Sequence, residues 1–239
     1  MHFTHEHEAA VALDAALQAL IGLAAHATAP AEHARTKILR HESLGDEDLE
    51  RCLQSVVDLA VQSARIPVSR AASFEVARAL RGFVEQRAPT GMLAVRRLIT
   101  GVFESGDAWE ETTSEALGVL AILASIGQSP PRMQLAMLCH ALSKLKRWGE
   151  LEAWSNVLLH ESQRFDDWKS ELHALELLAD STEATGRPAT ALRARDQMLA
   201  ILGARGRKLT APAAAHMLAE AERLRAIVAA LPEGSEPTE

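Results

Sequence analysis

Shifted forty residues along itself, the chain matches its own apolar positions and helix breaks over roughly residues 129–204. Leu135 meets Leu175, Met137 meets Leu177, Leu138 meets Leu178, Cys139 meets Ala179 and Arg147 meets Arg187. Further on, Leu158 meets Met198 and Leu159 meets Leu199. Each copy reads as two helices with a break between them. Leu135, Leu138, Leu142 and Leu145 mark the first helix of one copy, and Leu172, Leu175, Leu178 and Ala179 that of the next, at helical spacing. A helical pair of this size cannot bury its apolar stripe alone, so neighbouring pairs must stack.

The rest of the chain is punctuated in the same manner. Pro30, Pro67 with Ser69, Pro89 with Thr90, and Ser105-Gly106-Asp107 interrupt apolar stretches that repeat every three or four residues. Asp107 followed by Glu110 reads as a capping box, and Ser129-Pro130-Pro131 as an N-cap followed by prolines in the first turn. Asp166 and Asp167 read as caps for the helix that follows. Aromatic residues make up only 4% of the chain, with no tyrosine, whereas strands favour aromatic and β-branched residues. The expectation is an all-α fold of stacked antiparallel helical hairpins, a tetratricopeptide-like α-solenoid of about ten helices. It divides into an N-terminal helical region (1–105), a repeat region with a capping helix (106–232) and a disordered acidic tail (233–239).

The second copy resembles the tetratricopeptide repeat. Leu178-Ala179, Gly186 and Ala191 stand at that family's spacing for the large–small contact, the turn glycine and the small residue of the second helix. The first copy departs from the pattern: Lys146 stands at the glycine position and Leu151 at the alanine position. The period of forty also exceeds the family's usual ~34. The resemblance implies a binding face lined by the first helix of each pair. His140, Ser143 and Lys144 then point to it from one copy, and Glu176, Asp180 and Glu183, with His173 nearby, from the other. The family's clamp for C-terminal carboxylates uses Lys and Asn at such positions, and this chain has acids instead. The expected partner is therefore a protein or a basic peptide segment, bound by an adaptor or regulatory module such as a signalling component or secretion chaperone in bacteria. A short stack also leaves apolar end faces, which favours a homodimer.

Net charge is −7, which opposes broad nucleic-acid binding. The charge is uneven, however. Residues 65–97 hold Arg65, Arg70, Arg78, Arg81, Arg87, Arg96 and Arg97 against Glu75 and Glu85 alone. This stripe meets the chain's own acidic helices, an acidic partner, or, in the alternative reading, DNA contacted by a transcription regulator. The segment Leu59–Val84 faintly resembles a helix-turn-helix, although its turn lacks glycine and is too long.

Chemistry-bearing motifs are scarce. The sequence holds no phosphate-binding glycine loop, dinucleotide fingerprint or nucleophile elbow. His2, His5 and His7 sit together at a terminus expected to be disordered, without a partner cluster that would close a metal site. Acid pairs fall at predicted helix starts, where the macrodipole accounts for them. No enzyme activity, metal or cofactor is expected. Cys52 and Cys139 read as buried free thiols. Residues 9–25 lack the basic flank of a signal peptide and are too short to span a bilayer. The expected location is the cytoplasm. Trp109, Trp148, Trp154, Phe165 and Trp168 cluster in one third of the chain, as packing between hairpins or as anchors for a partner.

Overall fold

Among the described residues, the breaks at 65–67, 105–107 and 129–131 each separate two helices. A computed structural model describes residues 2–23, 28–39, 46–87, 93–204 and 211–231. Among these residues there are eleven helices and no strand. The first six are α1 (His2–Leu23), α2 (Ala29–Leu39), α3 (Asp46–Ala64), α4 (Pro67–Arg87), α5 (Leu93–Ser105) and α6 (Trp109–Ser125). They are followed by α7 (Arg132–Lys144), α8 (Trp148–Arg164), α9 (Trp168–Ala184), α10 (Pro188–Ala204) and α11 (Ala211–Ala230). Pro67 and Pro188 each open a helix, where a missing N–H costs nothing.

The chain forms two compact units, Met1–Ser129 and Pro130–Glu239. The change of character expected at residue 105/106 falls at the α5–α6 turn, inside the first unit. The tail expected to be disordered lies outside the described residues, as do Pro89 and Thr90.

In the first unit α4 packs against α1, α3 and α5, α3 also packs against α2 and α5, and α6 lies on α5. Leu13, Leu17 and Leu20 of α1 are buried with Leu53, Val56 and Ala60 of α3, Val76, Leu80 and Phe83 of α4, and Ile99 and Phe103 of α5. In the second unit each helix packs on the next from α7 to α11, and α7 also touches α9. Small residues permit the close approach: Ala179 and Ala191 are almost wholly buried, in one cluster with Leu175, Leu178, Met198 and Leu224 of α11.

Four turns are built alike. After α5, α7, α8 and α9, three residues lead into the next helix, and the middle one has positive φ: Asp107 (62°), Lys146 (57°), Asp166 (50°) and Gly186 (78°). The third residue donates its N–H to a carbonyl five positions back: Ala108 to Phe103, Arg147 to Leu142, Asp167 to Ser162 and Arg187 to Thr182. These bonds satisfy carbonyls that a helix end otherwise leaves open. The same third residue then accepts the first bond of the outgoing helix, from Thr112, Leu151, Glu171 and Ala191. Lys146, which the repeat alignment places where its sister has glycine, takes the left-handed conformation that Gly186 takes.

Some capping expectations are corrected. Asp107 is the left-handed turn residue, and Ala108 occupies the N-cap of α6 without a side-chain bond. Pro131, not Ser129, holds the N-cap of α7. Ser69 lies in the first turn of α4 and works backwards: its hydroxyl donates to the Ser63 carbonyl at 2.9 Å, and Arg70 Nε donates to the Ala64 carbonyl at 3.1 Å. Both side chains thus close the end of α3. Asp167 caps α9 as expected, accepting from the Ser170 amide and hydroxyl. His2, His5 and His7, expected at a disordered terminus, fall within α1.

Candidate functional site

The i, i+4, i+7 spacing of Glu176, Asp180 and Glu183 sets three carboxylates on one side of α9, away from buried Leu175, Leu178 and Thr182. Glu176 and Asp180 are exposed and Glu183 is half-buried. Two arginines from later helices reach this face. Arg195 of α10 lies 2.6 Å from Asp180. Arg223 of α11 lies 2.7 Å from Glu183 and 2.8 Å from Glu220 on its own helix. Partial loss of hydration pushes the Asp180 carboxyl above its ordinary range; Arg195 pulls it down, and Glu176, Glu183 and Glu220 push it up further. The hydrogen bond from Arg223 holds Glu220 below its ordinary range.

The structure therefore gathers Glu176, Asp180 and Glu183 into one charged patch and adds Glu220, Arg195 and Arg223. The other residues expected at the face are distributed nearby. His140 and Ser143 are half-buried and Lys144 is exposed on α7, the helix packed beside α9; His173 is half-buried on α9 itself. Arg187 pairs with Glu152 of α8, and Arg193 donates to Thr190 at 3.0 Å. Arg195 and Arg223 were missed because their partners stand 15 and 40 residues away on other helices.

Three of the seven arginines of residues 65–97 pair with the protein's own acids. Arg78 bridges Glu75 at 2.6 Å and Glu111 of α6 at 3.1 Å. Arg81 pairs with the buried Glu115 of α6. Arg96 is itself buried, 3.1 Å from Glu85. It lies over Gly118, where an added Cβ would stand 3.7 Å from its Nη2.

Of the aromatic cluster, the four tryptophans are half-buried, whereas Phe165 is 55% exposed. Its ring is flanked by the guanidinium groups of Arg132 at 5.2 Å and Arg164 at 5.3 Å. Among the described residues no group of three or more His, Cys, Asp or Glu is placed to hold a metal ion. No described helix is long and apolar enough to cross a membrane.

No family model matches the chain, and a search of curated proteins finds no match. Among solved structures, the crystal structure of BtubC (BKLC) from P. vanneervenii is similar, with 13% sequence identity and a TM-score of 0.48 over 95% of this chain and 96% of that one.

Proposed function

We propose that this protein is a non-catalytic adaptor or regulatory module that binds a basic protein or peptide segment on the acidic face of α9. The observation that carries the reading is that Glu176, Asp180 and Glu183 share one face and already hold two guanidinium groups, Arg195 and Arg223. Carboxylates so arranged offer charge-assisted, directional acceptors to an incoming arginine. The tetratricopeptide-like repeat supports the same reading, because stacked hairpins present extended surfaces to partners. The DNA-binding alternative has less support, since Arg78, Arg81 and Arg96, three of the seven arginines of the stripe, pair with acids of the same unit. We place the module in the cytoplasm, where signalling or secretion partners are met.

The test is a fluorescence-anisotropy titration with a labelled arginine-rich peptide, alongside a pull-down from the native host. Binding is expected to weaken with salt and to disappear in the Glu176→Gln/Asp180→Asn/Glu183→Gln variant, which keeps its helical circular dichroism. A partner that binds this variant with wild-type affinity overturns the assignment of the face.

The same reading includes a symmetric homodimer formed through the end of the stack at α11, where Leu218 is 47% exposed. Sedimentation equilibrium checks it: the wild type is expected as a dimer at tens of micromolar, and Leu218→Glu as a monomer.

A further inference from the structure

Helix α11 is held to the second unit by a narrow strip. Among its described side chains, residues 215–230, only Ala221 and Leu224 are buried, whereas α9 buries Ala174, Leu175, Leu177, Leu178 and Ala179. Its backbone approaches that of α10 alone among the described helices. Met217, Ala221 and Leu224, spaced i, i+4, i+7, form one inward stripe, with Met217 and Leu224 set on the apolar cluster of α9 and α10. Beside the stripe two guanidinium groups meet acids of the other helices. Arg223 lies 2.7 Å from Glu183 of α9, and Arg225 lies 2.5 Å from Asp196 of α10. α11 therefore sits as a basic amphipathic helix sits in an acid-rimmed groove, one of the recurring modes of peptide recognition. One contact opposes the fit. Glu220 of α11 enters the same face, 2.8 Å from Arg223. The Asp180 carboxyl, already raised by reduced hydration, is pushed higher by Glu220 among its acidic neighbours.

We propose that α11 fills the protein's own ligand seat, and that the basic partner segment is an amphipathic helix that displaces it. The inference deepens the adaptor reading and rests on it. The replacing helix carries apolar residues at the positions of Met217, Ala221 and Leu224, arginine at those of Arg223 and Arg225, and no acid at that of Glu220. Without that acid it removes a like charge from beside Asp180, which favours it over α11. The advantage of α11 is its tether, which makes its binding intramolecular. A helix with so few buried side chains opens more readily than the core. An incoming helix then binds in proportion to the fraction of chains whose seat is open.

The experiment titrates the full chain with a labelled peptide of residues 211–231 carrying Glu220→Gln, read by fluorescence anisotropy and by hydrogen exchange of the isotope-labelled chain. Saturating peptide is expected to strip amide protection from residues 215–230 of the chain, while α9 and α10 keep theirs. Leu224→Ala in the chain loosens α11 without changing charge and is expected to tighten peptide binding roughly tenfold or more. A peptide that also carries Leu224→Glu is expected not to bind. One that carries Leu218→Glu instead, at a position 47% exposed in the chain, is expected to bind as before. The proposal is overturned if α11 keeps its protection with peptide bound, or if the Leu224→Ala chain binds no more tightly than wild type. It is also overturned if Leu218→Glu rather than Leu224→Glu abolishes binding, which puts the peptide on the outside of α11. An arginine-rich peptide without an apolar stripe separates the two readings. If it binds and the helical peptide does not, this inference alone falls; if neither binds, the assignment of the acidic face falls with it.

Discussion

The Arg195 guanidinium is 2.6 Å from the Asp180 carboxylate, yet Asp180 still titrates above its ordinary range because hydration is reduced and three other acids are close. A carboxyl raised on folding binds more protons folded than unfolded, so its contribution to stability is fully present at low pH and declines as pH rises through the folded value. Urea midpoints are therefore expected to favour wild type over Asp180→Asn more at about pH 4, near the ordinary carboxyl value, than at neutral pH. Arg195→Ala is expected to lower stability at neutral pH by about 0.5–1 kcal/mol, the upper part of the range for such partly exposed pairs.

The turns give a second prediction. Lys146 at φ 57° and Asp166 at φ 50° occupy a region that costs side-chain-bearing residues about 1 kcal/mol or more. Lys146→Gly is expected to raise the thermal midpoint. Gly186→Ala, at φ 78°, is expected to lower it, by a similar free energy, although a Cβ there meets no neighbouring atom. A neutral outcome at Gly186 would mean that the turn relaxes.

Gly106 serves a different purpose. A Cβ at this position would stand 2.5 Å from the Phe74 ring, which itself packs on Phe103 at a centroid distance of 5.5 Å. Gly106→Ala is expected to destabilise by about 1–3 kcal/mol, as for overpacking. Adding Phe74→Leu is expected to recover part of that loss in chemical denaturation.

Cys139 is wholly buried beside the Ser155 hydroxyl, 3.8 Å away, and burial pushes its thiol up to about 12. Disulfide reagents are expected to leave it unlabelled until the protein unfolds. Because the folded value is raised above the ordinary ~8.5, the stabilisation is intact below that pH and is lost progressively as pH rises towards 12. Cys139→Ala is expected to flatten this alkaline decline in the denaturation midpoint.

The helices were legible because proline, glycine and polar breaks act locally. Pro67, Pro188 and Gly186 each stand where backbone chemistry alone demands a boundary, and Asp167 caps the helix it precedes. The functions of Ser69 and Asp107 were not legible. Both are competent caps by residue type, but Ser69 finds the open carbonyls of α3, and Asp107 is needed by the turn itself. The acidic face could be read from the spacing of 176, 180 and 183. Its arginine partners could not, because the docking of α10 and α11 decides which of many arginines arrives there.

The three-residue turns that join α7 to α8, α8 to α9 and α9 to α10 leave no slack. Each helix residue advances the chain by about 100° around its axis. One residue inserted into α8 or α9 would swing everything downstream by that angle, turning buried leucines outward, and a turn of fixed shape could not take up the error. The second unit is in effect phase-locked: its length can change by whole hairpins, but not by single residues.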